Sequence, residues 1–129
     1  MNAAELLVAR GLDSLRLRLL IHPIQPESVQ VRAAPRLMKR FWGKGIRAMT
    51  LRRTIFVDPA FLAESQGRSG VLLVHELVHV RQWHDLGVLR FLWRYLGGYL
   101  RGRLSGLGHR EAYLGIELEV EARRLADLI

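Results

Sequence analysis

Hydrophobic positions change their period along the chain, and each change marks an element. In "NAAELLVARGL" (residues 2–12) apolar side chains recur at helical spacing. In "LRLRLL" (15–20) leucine alternates with arginine as in a strand, although the same residues also continue an amphipathic helix. The two prolines of "HPIQPES" end whatever precedes them. "SVQVRAAP" then reads as a short strand, and "GIRAMTLRRTIFVDP", bounded by Gly45 and Pro59, as one or two more. Asp58-Pro59 opens a helical turn, "PAFLAES", and "QGRSG" is a loop. Ser69 suits the N-cap of the next helix and Gly87 its stop. A further helix spans about residues 88–100, interrupted at Gly97-Gly98. "RGRLSGLG" is loop-like, and the last helix runs from about Arg110 to Leu128. Strands confined to the first half, followed by three helices, predict an α+β fold, with a few-stranded sheet packed on the helices.

Composition narrows this picture. The 129 residues fit one domain, residues 1–129, and half of them are apolar, enough for a core. Cysteine is absent, which excludes disulfides and thiolate metal sites and fits a reducing compartment. The N-terminus has neither the apolar core nor the cleavage site of a secretory signal, and no 18-residue apolar run exists. The expectation is a cytoplasmic domain, with contact at a membrane surface left open.

Charge is uneven. The net value is +8, and between Glu27 and Asp58 there are eight bases and no acid. From Asp85 to Glu111 a second acid-free stretch carries Arg90, Arg94, Arg101, Arg103 and Arg110. Such fields attract an anionic membrane surface or an acidic protein, or remain solvated. In "VLRFLWRYLGGYLRGRL" the arginines mixed with large apolar residues fit a helix lying on an anionic membrane or one facing the core. Nucleic acid is the weaker expectation, since Trp42 beside Lys39, Arg40 and Lys44 is a thin basis for base stacking.

The chemistry concentrates in "VLLVHELVHVRQWHDLG" (71–87). On a helix, His75, His79 and Gln82 share one face, because residues at i, i+4 and i+7 align. The surrounding leucines and valines imply burial, and a buried imidazole needs a partner. Two imidazoles one turn apart can share a zinc ion. Glu76 points about 100° away from His75, which suits a general base better than a ligand. "HELVH" is thus the H-E-x-x-H zinc signature.

A catalytic zinc site takes three protein ligands. Asp85 falls at the end of the extended H-E-x-x-H-x-x-G-x-x-H pattern, but Gln82 replaces its glycine and His84 is wrongly spaced. The better source is "IELEVEARRLA" (116–126), where Glu119, Ala122 and Arg123 share a face and the small Ala122 permits close helix approach. Glu117 and Glu121 remain alternatives if the helix has another phase. Glu121 could instead pair with Arg124.

"HELVHVRQ" followed by "ELEVEAR" resembles the gluzincin zinc metallopeptidases. More closely it resembles small bacterial zincin-like domains with H-E-x-x-H-x-x-Q and a later E-x-E-A. The resemblance implies zinc held by His75, His79 and Glu119, with Glu76 as catalytic base. It extends over "AMTLRRTIFVDP", which looks like the family's cleft strand. An extended peptide substrate would lie along residues 48–57, on Ala48, Met49, Thr50 and Leu51 above all. Coverage runs from about Val29 to Ala126, leaving the N-terminal helix (residues 1–20) outside the recognised motifs.

Three departures stand out. Arg123 occupies the place of an aspartate that often supports a zinc histidine in gluzincins. Arg52 stands near a common glycine of the strand motif. No residue clearly matches the oxyanion stabiliser, for which Tyr113 and His109 are candidates. Together these readings predict a zinc metallopeptidase acting on a peptide or protein. The alternative is a non-catalytic zinc-binding module whose basic surface takes a partner protein, anionic membrane or nucleic acid.

Overall fold

The computed structural model describes residues 1–42, 46–63 and 68–129. Lys44, Gly45, the end of the "PAFLAES" turn and the start of the "QGRSG" loop lie outside the described residues, as does the side chain of Ser69.

Asn2 caps the first helix, α1 (Ala3–Ala9), in a reciprocal capping box with Glu5. "LRLRLL" resolves as helix α2 (Leu15–Leu20) rather than a strand. Ser14 caps it, and Leu17 and Ile21, one turn apart, are both fully buried. That spacing serves the core from one helix face, whereas a strand would have aimed Leu15, Leu17 and Leu19 together; Leu15 and Leu19 are exposed.

Three short strands follow: β1 (Gln30–Ala33), β2 (Ala48–Leu51) and β3 (Thr54–Val57). A helix that the apolar pattern did not announce, α3 (Arg36–Phe41), starts after Pro35 and buries none of its residues. The sheet order is β1-β3-β2, with β1 parallel and β2 antiparallel to β3. β3 is therefore enclosed, so among the described residues β2 is the edge strand of the stretch 48–57. Arg52 begins the two-residue β2–β3 turn at φ 57°. That left-handed conformation is one glycine adopts more readily than arginine.

After α4 (Pro59–Ala63) comes α5 (Arg68–Leu104), two helical arms joined at Gly87, whose φ of 76° and ψ of 166° break the helix. Ser69 thus falls inside the first turn. The second arm runs through Gly97-Gly98 without interruption and takes in the first residues of "RGRLSGLG". The expected last helix is two: α6 (His109–Leu114) and α7 (Glu117–Ala126). They part at Gly115 and Ile116, and Ile116 is buried against Gly98 of α5. That wedge re-aims α7 so that Glu119 faces the histidines.

The main core joins α1, α2, the sheet, Phe61 and the first arm of α5. Leu6, Leu7 and Leu17 belong to it, so the N-terminal segment is part of the same folding unit. Each fully buried leucine, such as Leu77, contributes about 1.5–3 kcal/mol. A second cluster, Trp83, Phe91, Ile116 and Leu118, lies beyond the histidines, with Trp83 and Phe91 stacked at 3.9 Å. Trp42 is buried, which removes it as a stacking platform for nucleic acid. No helix among the described residues is long and apolar enough to cross a membrane.

Candidate metal centre

The first arm of α5 stacks the two imidazoles one turn apart, their centroids separated by 4.8 Å. Their Nε2 atoms are 3.2 Å apart and face one carboxylate. Glu119 Oε2 lies 2.9 Å from His75 Nε2, and Oε1 lies 3.1 Å from His79 Nε2. The candidate ligand atoms of all three residues fall within 4.8 Å of one another. Ala122, one turn beyond Glu119 and fully buried, leaves room for α7 to come this close to α5.

The other acids stay apart. Glu117 turns to solvent beside Arg94, at 3.3 Å. Glu121 accepts from Gln82 Nε2 at 3.1 Å and makes no described contact with Arg124. Asp85 pairs with Arg81 one turn back, and His84 is exposed on another cavity.

Gln82 organises His79. Its amide nitrogen donates to the Leu118 carbonyl at 3.0 Å and to Glu121, so its Oε1 must be the acceptor facing His79. His79 Nδ1–H therefore donates to Gln82 at 2.8 Å, which leaves Nε2 directed at Glu119. This is the orienting contact that Arg123 cannot supply; Arg123 instead donates to the Leu114 carbonyl.

The second arm of α5 supplies a residue missing from the sequence-level site. Tyr95 donates its hydroxyl to Glu119 Oε1 at 2.6 Å. Phe91 stacks on Tyr95, and both rings lie 6.4 Å edge-on from His79. A helical aromatic spacing from Phe91 to Tyr95 was visible, but Gly87 hid the direction in which that arm folds back.

Electrostatics bind the cluster. Burial alone would raise the Glu119 carboxyl, but hydrogen bonds from both histidines and the His79 charge hold it well below the usual carboxylate range. Burial alone would lower His79; the Glu119 hydrogen bond and the charges of Glu76 and Glu119 win and raise it to about 9. Burial and the Glu119 charge push the hydroxyls of Tyr95 and Tyr113 far up, so both remain donors.

Glu76 is buried and accepts from Thr50 Oγ1 at 2.6 Å. Strand alternation explains this. Ala48 and Thr50 face α5, while Met49 and Leu51 face away. Of the four residues expected to line the substrate path, Ala48 borders a cleft of about 540 Å³ with His75, Glu76 and Glu119. Thr50 serves Glu76, and its carbonyl already accepts from Trp83 Nε1 at 3.1 Å. Leu51 borders a different cavity. Tyr113 and Arg123 also border the cleft, whereas His109 pairs with Tyr99 at 2.7 Å and makes no described contact with the site.

No family model matches the chain, and comparisons with curated proteins and with solved structures find no match either. Its chemistry must be read from its own side chains.

Proposed function

We propose that the chain is a zinc-dependent metallopeptidase, with His75, His79 and Glu119 as metal ligands and Glu76 as general base. The observation that carries this reading is the convergence of two imidazole nitrogens and one buried carboxylate beside a second carboxylate in the same cleft. The donor set fits. Two ring nitrogens 3.2 Å apart and facing one carboxylate are placed to share one cation, and two histidines with a glutamate are a ligand set that zinc accepts. A bound zinc ion would supply Lewis acidity, polarising a carbonyl and making water more acidic.

The chain's own groups would do the rest. Glu76, oriented by Thr50, takes a proton from the attacking water and delivers it to the leaving amine. Tyr113, held protonated at the cleft beside Tyr95 and Glu119, would donate to a developing oxyanion. The free edge of β2 at Ala48 offers backbone groups to an extended peptide.

A peptide-library digestion with zinc restored tests the reading. Cleavage should disappear with chelator, and Glu76→Gln should retain metal while losing at least about a hundredfold in rate. Cleavage that survives Glu76→Gln would contradict it. The second reading is a non-catalytic metal-binding module, favoured by the burial of Glu76 and its engagement by Thr50. Retained metal with no cleavage of any library member would select it.

A further inference from the structure

The second arm of α5 has two opposed faces. Phe91 and Tyr95 turn inward onto the candidate metal centre, and Gly98 and Gly102 pack against Ile116 and Ala112. On the opposite side Leu89, Trp93, Leu96, Leu100 and Leu104 are 83%, 82%, 60%, 57% and 79% exposed. Their spacing of three or four residues makes one straight stripe, about 22 Å long at the helical rise. Arg90, Arg94 and Arg101 follow along one flank of the stripe, and Arg103 lies at its opposite edge. All four are exposed; Arg94 pairs with Glu117 of α7 at 3.3 Å, while Arg90, Arg101 and Arg103 have no described acidic partner.

We infer that this face is a docking surface for an anionic phospholipid bilayer, with the arm lying in the plane of the interface. Charge selects this occupant. Arginines beside an exposed leucine–tryptophan stripe match anionic headgroups above an apolar layer. A second copy docked through the same face would bring together two arginine rows in which only Arg94 has a described acidic partner, Glu117. The arm lies on the membrane rather than crossing it, since no described helix is long and apolar enough to span. The metal centre would then sit about one helix diameter, roughly 10 Å, behind the lipid surface. The inference stands independently of the peptidase reading, because it uses the outer face of the arm and needs neither metal nor cleavage.

The test is co-sedimentation of the full chain with vesicles of phosphatidylcholine containing phosphatidylserine, against vesicles of phosphatidylcholine alone. The anionic vesicles should carry the protein down and the neutral ones should leave most of it in solution. Each arginine near an anionic surface strengthens partitioning about fivefold, so Arg90→Gln with Arg101→Gln should weaken it about 25-fold at low salt. Trp93→Ser with Leu96→Ser should abolish it; both residues are exposed, and an unchanged circular dichroism spectrum confirms the fold.

Trp93 provides a readout in the unaltered protein. Trp42 and Trp83 are buried, so a blue shift of emission on adding anionic vesicles reports the stripe. Equal binding to both vesicle types, no binding to either, or no Trp93 shift would overturn the inference. So would a concentration-dependent dimer in lipid-free buffer that the Trp93/Leu96 substitutions dissolve, because a second copy would then own the face.

Discussion

Gln82 sets which nitrogen of His79 faces Glu119, and it does so because its own amide is fixed by Leu118 and Glu121. Gln82→Leu removes that anchor and should weaken zinc binding about 10–100-fold, read by competition with a chromogenic chelator. Protonation gives a second residue-level expectation. Although burial alone would lower it, His79 rises from its ordinary 6.5 to about 9 through the Glu119 hydrogen bond and the acidic charges around it. Its pairing stabilises the metal-free fold fully below pH 6.5, and that contribution is lost as the pH rises through about 9. The Glu119 contribution has the opposite sense: it is present above 4.5 and lost as the pH falls through its depressed value. The thermal midpoint of chelator-treated protein should therefore fall between pH 6.5 and 9, and zinc loading at pH 7 should release protons. A midpoint that rises across this interval would contradict the pairing. At this scale the two histidines and Glu76 were legible, because helical spacing alone decides which of them share a face. Tyr95 was not, and Thr50 was expected along the substrate path without its bond to Glu76, because these contacts cross the bend at Gly87 and a sheet-to-helix interface.

The elements work through their interruptions. Gly87 turns α5 back so that Tyr95 reaches Glu119, and its backbone lies where a side chain is rarely tolerated. An added Cβ would meet nothing within 4 Å, so Gly87→Ala tests the backbone alone. It should destabilise by about 1–3 kcal/mol in denaturant unfolding, with reduced zinc affinity as Tyr95 shifts. The stop at Gly87 was legible from glycine after a periodic run. The break at Gly115 and Ile116 was not, since "AYLGIELEV" holds an unbroken helical pattern on either side of one glycine. Only the packing of Ile116 against Gly98 reveals it. α2 shows the same limit from the other side: "LRLRLL" satisfies both periods, and the core decided by claiming Leu17 and Ile21 together.

At the scale of the molecule, the N-terminal segment that no motif covers proves continuous with the core, and its hydrophobic residues were readable even though their destination was not. A chain lacking residues 1–20 loses Leu6, Leu7 and Leu17 from that core and should show no cooperative unfolding transition by circular dichroism. The α+β class followed from the order of periods, but sheet order β1-β3-β2 depends on pairings between distant segments and had no local signal. The basic stretches were legible as charge; their consequence depends on which face each helix leaves uncovered. The proposed function rests on one cation bound by His75, His79 and Glu119 between α5 and α7. The most direct measurement is calorimetric titration of metal-free protein with zinc. One ion per chain is expected, with binding abolished or severely weakened by His79→Ala and by Glu119→Ala and unaffected by Glu117→Ala. Binding as tight in Glu119→Ala as in the unaltered chain, or no binding at all, would contradict it.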